Sequence, residues 1–525
     1  MLKTFLTFLT FSLFPFSFSL LLAQVPTFQE ESAGITHIYD GGWWFFVGGG
    51  VATFDCSGDA KPEVFLAGGI NPSALYKNIS QVGGAVQFKP LDDLDLDLVI
   101  GAYPIDIDND EIVDLAVLRV GENALYRGLG NCQFEKANEL WHFSGADAWT
   151  TAFSATWEKN QTFPTLAFGN YVDRYDPNGP FGVCDQNLLY RPTVTAYESP
   201  IALTPGYCAL SMLFTDWSHS GKTDLMVSND RQYYMTSLES LGSEQLWNFA
   251  ENGEPRLYTE EEGWQKLQIW GMGIASADIT GDGLPEYYLT SMADQKLRTL
   301  KASNQEPQFK DLAFDRGVTA HRPFTGPDLM PSTGWHAEFD DLNNDGFLDL
   351  FVAKGNVESM LEFAQEDPNN LLLGQSDGSF VEVADKAGLL SFKRGRGATL
   401  TDFNQDGLLD VLVVNRKDRV QVWRNISKDA GNWLELRLSQ DDVNRYAIGS
   451  WLSIQMGDKT IEHEITLGGG HASGELGWIH IGLGQATEAK VSVMWPDHQS
   501  TSYTLQANQW MILNKSRGAQ PWQPQ

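Results

Sequence analysis

The sequence predicts an all-β fold, a seven-bladed β-propeller followed by a small β-sandwich-like domain, and three observations predict it. A nine-residue acidic loop recurs at intervals of 51 to 63 residues. Short strands that alternate or are wholly apolar flank each copy, with Gly, Asn and Asp turns between them. Helical periodicity is nearly absent.

The clearest copies run from Asp341 to Asp349 and from Asp402 to Asp410, both reading Asp-x-Asn-x-Asp-Gly-x-x-Asp before an apolar strand. Looser copies begin at Asp55, Asp106, Asp216 and Asp278. A frame without ligands, starting at Trp157, lies between the second and third of these. The starts fall at 55, 106, 157, 216, 278, 341 and 402. A second marker precedes several loops: Phe309 with Arg316-Gly317-Val318, and Phe380 with Ala387-Gly388-Leu389. Its extra copy, Phe28 with Ala33-Gly34-Ile35, stands before the first loop, so residues near Phe28 to Thr36 are expected to give the last unit its outer strand. Units of this length cannot bury their faces alone, and closure into a propeller is the most economical arrangement.

Residues 24–430 are thus assigned to the propeller. Residues 431–515 alternate β-rich runs with glycine turns and read as a separate β domain, and 516–525 are a polar tail expected to fray. Met1 to Ala23 combine a basic start with an apolar run and read as a signal peptide of 23 residues, which leaves no membrane span after cleavage and places the protein in a secreted, periplasmic or extracellular setting. Export permits disulfides, and four cysteines allow three connectivities; Cys56 with Cys132 and Cys184 with Cys208 is preferred. Sequons at Asn78, Asn160, Asn425 and Asn514 matter only in a eukaryotic secretory pathway.

The formal charge is -32, from 68 Asp plus Glu against 36 Lys plus Arg, which argues against nucleic acid as a partner. It favours cations. In each loop, oxygens at the first, third, fifth and ninth positions form a compact cage: Asp55, Ser57, Asp59, Glu63; Asp106, Asp108, Asp110, Asp114; Asp216, Ser218, Ser220, Asp224; Asp278, Thr280, Asp282, Glu286; Asp341, Asn343, Asp345, Asp349; and Asp402, Asn404, Asp406, Asp410. Oxygen donors without His or Cys select Ca²⁺. The sixth-position glycine permits the turn, although Ala60 and Glu111 replace it in two loops. An EF-hand is excluded, because the twelfth positions are apolar strand residues such as Val352 and Val413.

These residues resemble the FG-GAP (VCBS) repeats of integrin-α-like propellers over roughly Phe28 to Asn425. After them, Asn444-Arg445-Tyr446-Ala447-Ile448-Gly449, Gly468-Gly469-Gly470-His471-Ala472-Ser473-Gly474-Glu475 and Val491-Ser492-Val493-Met494-Trp495-Pro496-Asp497 resemble an ASPIC/UnbV domain. The combination is similar to the cartilage-acidic-protein-like family. That resemblance implies extracellular Ca²⁺ binding and adhesion, with a protein or glycan as partner, and supplies no catalytic residues.

No catalytic motif stands out. His463-Glu464 begins a metalloprotease-like string, but Leu467 occupies the place of its second histidine, and Gly468 to His471 reads as a turn. The alternative to a binding or adhesion module is a ligand-binding or enzymatic channel mouth. Trp43, Trp44, Trp149, Trp270, Trp335 and His336 fall near the starts of inner strands, with Arg394 and Arg396 nearby, where they would either pack between blades or line a small-ligand site.

Overall fold

The computed structural model describes residues 24–176, 183–230, 242–249, 253–293, 295–301, 305–319 and 330–524. Among them strand dominates, and helix is confined to four single turns, the longest being Ala313–Arg316 and Ala384–Ala387. The expected signal segment lies outside the described residues, among which no helix is long and apolar enough to cross a membrane.

Up to Asn425 the strands form four-stranded antiparallel meanders. Their first strands are Val51–Phe54, Val99–Ile105, Asp147–Thr156, Ala209–Thr215, Gly271–Ala277, Gly334–Asp340 and Gly395–Thr401. Each first strand lies against the first strand of the next meander, and Gly395–Thr401 lies against Val51–Phe54. The second and third meanders share one sheet, because Asp147, Ala148 and Trp149 pair with Glu122, Gly121 and Val120. As the Phe28 marker predicts, Phe28–Glu30 pairs with Gln421–Asn425, so the last meander takes its outer strand from the other end of the chain.

The second strands read as short apolar runs because both of their faces are covered. Val64, Phe65, Leu66, Leu115, Val117, Leu350, Phe351, Val352, Val411, Leu412 and Val413 are all fully buried. Each such side chain contributes about 1.5–3 kcal/mol relative to exposure. Successive meanders are therefore held together mainly by apolar packing between their faces.

The C-terminal residues form two packed four-stranded sheets. One contains Ile479–Gly484, Asn432–Ser439, Gln509–Asn514 and Gly518–Trp522; the other contains Lys459–Glu464, Trp451–Met456, Glu488–Met494 and Ser500–Gln506. The tail is a correction to the sequence reading. Gly518–Trp522 is an edge strand on Gln509–Asn514, and Trp522 packs its ring 5.4 Å from Trp510 and 5.2 Å from Trp478. Tryptophan packing outweighs the polar composition that suggested fraying.

Both preferred disulfides, Cys56–Cys132 and Cys184–Cys208, are present. Three sequon asparagines, Asn78, Asn425 and Asn514, are buried, and Asn78 and Asn425 donate to backbone carbonyls of Phe403 and Leu342.

Candidate metal centres and the ring axis

Every acidic loop joins the first strand of a meander to its second, so all six lie at the same end of the ring. They share one local construction. The first carboxylate accepts the backbone N–H of the sixth residue: Asp55 from Ala60 at 2.8 Å, Asp106 from Glu111 at 3.1 Å, Asp216 from Gly221 at 2.6 Å, Asp278 from Gly283 at 2.9 Å, Asp341 from Gly346 at 2.6 Å and Asp402 from Gly407 at 2.6 Å. That closure requires a left-handed residue at the sixth position, and Ala60 and Glu111 adopt it without glycine, at φ 60° and 70°. The fourth position is left-handed as well, at Asn109, His219, Asn344 and Gln405. Sequence reading noticed only the glycine of the sixth position.

The ninth carboxylate turns back to the start of its loop. Asp349 accepts from Leu342 N–H and from Gly374 N–H on the neighbouring strand, and Asp410 accepts from Phe403 and Asn425 in the same way. Glu63 and Glu286, one methylene longer, still reach the second-position N–H of Cys56 and Ile279. Glutamate therefore replaces aspartate there without opening the loop.

Burial, with neighbouring carboxylates adding to it, pushes these acids upward. Glu63, Asp106 and Glu286 reach about 7 and Asp341 about 8, while Asp114, Asp349, Asp402 and Asp410 stand well above the ordinary carboxylate range.

Several sequence-predicted ligand atoms are also buried with no hydrogen-bond partner among the described residues: Ser57 Oγ, Glu63 Oε1, Asp108 Oδ1 and Asn404 Oδ1. A buried oxygen in this condition costs about 1–3 kcal/mol unless something satisfies it. Ligand oxygens of Asp106, Asp108 and Asp114 lie within 4.8 Å of one another. Oxygen donors of this number and charge fit a hard divalent cation.

Two loops depart from the others. Arg127 from the third strand of its meander reaches into the second loop, where Nε donates to Asp108 at 2.6 Å and Nη2 to Asp110 at 2.8 Å. In the loop at Asp216, Asp224 accepts from Trp217 Nε1, Tyr258 Oη and Phe249 N–H, so its oxygens are engaged by the protein itself. The ligand-free frame at Trp157 closes differently, through an ion pair of Glu158 with Arg191 at 2.8 Å and a hydrogen bond from Thr165 Oγ1 to Glu158.

The C-terminal domain docks on this acidic end. His480 joins Glu435 at 2.7 Å to Asn344 at 2.6 Å, Arg445 donates to the Asn109 carbonyl, and Trp451 stacks on His219 with centroids 3.9 Å apart. A cavity of about 580 Å³ remains between loops and domain, lined by Glu338, Asp340, Glu435, Glu464 and Glu475. Burial raises Glu338 and Glu464 to about 8 and Asp340 to about 7. The HExxH-like string sits on the strand Lys459–Glu464, where Glu464 accepts from Thr215 Oγ1 and Asp216 N–H. It is not on the helix that such a zinc site requires.

Residues 468–475, of which Gly468 to His471 read as a turn from sequence, thread the axis of the ring. Gly469 N–H donates to Met212 O at 2.6 Å, Gly470 N–H to Ile274 O at 2.7 Å and Val51 N–H to Ser473 Oγ at 3.1 Å. Gly474–Leu476 then pairs in parallel with Val51–Phe54. Burial holds His471 neutral, down to about 3. It accepts Gly48 N–H at Nε2, which leaves Nδ1–H for Met272 O at 3.3 Å. Its own N–H donates to His336 Nδ1, so His336 carries its proton on Nε2 toward Glu338. Small residues in and just before the first strands make room for this segment. A Cβ on Gly50 would stand 1.7 Å, and one on Gly101 2.1 Å, from the Ala472 carbonyl oxygen.

At the other end of the axis the structure brings Trp43, Trp149, Trp270 and Trp335 together around a cavity of about 120 Å³. Trp44 packs on Trp149 behind that wall, with centroids 5.1 Å apart. His336 belongs to the axis and the acidic cavity, and Arg396 lies over the Trp335 ring at 3.9 Å. Arg394 sits apart, near Glu358 at 3.7 Å.

Residues 341–413 match the family model described as FG-GAP-like repeat, and residues 440–520 match the one described as ASPIC and UnbV. The resemblance read from the loops and the glycine-rich segment thus holds for these stretches. Cartilage acidic protein 1 of Homo sapiens is 24% identical over 237 residues, 44% of this chain and 34% of that protein; the Mus musculus protein is 27% identical over 148 residues, 28% and 21% respectively. The match therefore spans about a third or less of those relatives' length. Similar solved structures include BBS1N in complex with ARL6DN, soaked with lead, at a TM-score of 0.43 and 12% identity over 77% of this chain and 98% of that one. An Agrocybe aegerita lectin that recognises non-reducing terminal N-acetylglucosamine has a TM-score of 0.42 and 14% identity, over 73% and 92%.

Proposed function

We propose that this chain is a secreted calcium-binding β-propeller of seven blades that serves as an extracellular binding or adhesion module for a protein or glycan. The observation that carries the calcium reading is the set of buried, unpartnered oxygens at predicted ligand positions, on Ser57, Glu63, Asp108 and Asn404. Hydrogen-bonded Asx turns alone leave those buried atoms without a protein partner. The meanders in ring contact support the blade count, and two disulfides support an oxidising compartment.

In this reading the metal is structural. Asp341, Asn343, Asp345 and Asp349 would hold one ion, Asp402, Asn404, Asp406 and Asp410 another, and the loops at Asp55, Asp106 and Asp278 further ones. The ion would supply the positive charge that these buried carboxylates lack, fixing the end of the ring on which the C-terminal domain rests. The loop at Asp216 is expected to stay empty, since Asp224 is already satisfied.

Thermal melts with EDTA and with millimolar Ca²⁺, together with native mass spectrometry, test this. The melting temperature is expected to rise with Ca²⁺, and about four or five ions to be retained. Coincident melts and no bound metal would make the loops ordinary turns.

The second loop gives a sharper comparison. Arg127 competes there with any ion, so Arg127→Gln is expected to tighten calcium binding at that loop by roughly tenfold, the equivalent of about 1.4 kcal/mol. Calorimetric titration of both forms reads it. Unchanged affinities would mean that the guanidinium does not occupy the ion's place.

A further inference from the structure

We propose that the acidic loops at Asp341, Asp402 and Asp55 take up calcium as one cooperative group, coupled by buried side-chain amides that pass from each loop to the next around the ring. This rests on the calcium reading above and adds to it a regulation of those sites.

The left-handed fourth residue of a loop reaches out of its own cage. In four places its side chain donates to the sixth-position carbonyl of the following loop or frame. Asn344 Nδ2 reaches Gly407 O at 2.9 Å, Gln405 Nε2 reaches Ala60 O at 3.0 Å, His219 Nδ1 reaches Gly283 O at 2.9 Å and Asn109 Nδ2 reaches Thr162 O at 2.9 Å. His219 starts from the loop whose Asp224 is already satisfied, and Asn109 ends on the ligand-free frame. Among the described residues, the Asn344 and Gln405 bonds are therefore the ones of this kind that join two loops each expected to hold an ion. The loops at Asp55 and Asp278 carry Gly58 and Gly281 at the fourth position, where a Cβ would have nothing within 4 Å and no side chain makes the link.

A second set of amides crosses the same two junctions at the ninth-position end of the cages. Asp349 accepts Leu342 N–H at 2.9 Å, the Leu342 carbonyl accepts Asn425 Nδ2 at 2.9 Å, and Asn425 N–H donates to Asp410 at 2.8 Å. One asparagine thus connects the last ligand of the loop at Asp341 to the last ligand of the loop at Asp402. Asn78 makes the corresponding link one meander on. Its Nδ2 donates to Phe403 O at 2.8 Å and to Pro62 O at 3.1 Å, while Phe403 N–H donates to Asp410. Pro62 directly precedes the ligand Glu63. Each junction is bridged twice.

The four linking amides, Asn344, Gln405, Asn425 and Asn78, are at most 3% exposed. Water has little access to replace their bonds, so moving one loop strands a donor or a carbonyl of its neighbour. A loop that closes on an ion fixes its second, fourth and sixth residues, and these bonds hold the adjoining cage in the same state. The neighbour then loses less conformational entropy when it fills, which is positive cooperativity, and the effect is reciprocal. The unpartnered oxygens of Asn404, Ser57 and Glu63 lie on two of the three loops, so the unsatisfied ligand atoms and the bridges belong to the same cages.

Native mass spectrometry of the full chain at rising free Ca²⁺ resolves each number of bound ions. Filling one loop of the group is expected to raise its neighbour's affinity about tenfold, so species one or two ions short of a filled group should be scarcer than independent sites would give. Gln405→Gly removes a bridge to the loop at Asp55 while keeping the left-handed turn at φ 58°, and should lower that coupling about threefold. Asn344→Gly should do the same at the other junction. Wild-type occupancies that follow independent sites, or an undiminished cooperative step in both variants, overturn the coupling although calcium is bound. No retained calcium overturns the calcium reading and the coupling with it.

Discussion

Alanine in place of Gly50 is expected to destabilise the protein by about 3 kcal/mol, the upper range for forcing an extra carbon into packed structure. The new Cβ would meet the Ala472 carbonyl oxygen at 1.7 Å and its carbon at 2.5 Å, both backbone atoms that cannot rotate away. Nor can the segment slide. Gly469 and Gly470 tie it to Met212 and Ile274 on one side, and Gly474–Leu476 ties it to Val51–Phe54 on the other. Gly42→Ala is the control, since a Cβ there has nothing within 4 Å and the change should stay within about 0.5 kcal/mol. Denaturant midpoints of the two variants read the difference. If Gly50→Ala melts with the control, the C-terminal segment does not occupy the axis in solution.

This axial insertion is the part of the fold least legible in the sequence. Gly48 and His471 are hydrogen-bonded across 423 positions, and no local period carries information at that range. The glycines of Gly468 to Gly470 signal a tight backbone, which sequence reading resolves as a turn. What they serve is close approach to the first strands. The acidic loops are legible for the opposite reason: cage, turn and strand are set within nine residues, so spacing alone locates them. Even there, Arg127 is invisible, because it enters the second loop from the third strand of the same meander. The tryptophans near the starts of the first strands are legible as a group, since each marks the same structural event. Whether they pack together or surround a space depends on the ring's diameter, which composition does not contain. Gly518–Trp522 shows the converse error, where polar content concealed a strand fixed by Trp522.

Metal-free protein is expected to lose stability as pH rises from about 5 to 8, opposite to the usual behaviour of carboxylate-rich proteins. The sign follows from the folded values. Asp278 is raised to about 6, Glu63, Asp106, Glu286 and Asp340 to about 7, and Asp341, Glu338 and Glu464 to about 8, all through burial. Unfolded, the same groups titrate near 4. Between these limits the folded state binds more protons than the unfolded state, so unfolding free energy falls with pH, and it levels off only above the folded values. Each unit of upward shift corresponds to about 1.4 kcal/mol for an isolated group. On the proposed calcium reading the ion would reverse the trend, because it would bind the deprotonated loops in place of the protons that the metal-free acids hold. The gap between the EDTA and Ca²⁺ melting curves should therefore widen steadily from pH 5.5 to pH 8. An EDTA curve that climbs with pH would show that the loop carboxylates are already ionised without metal, and that their charge is relieved by solvent rather than by an ion.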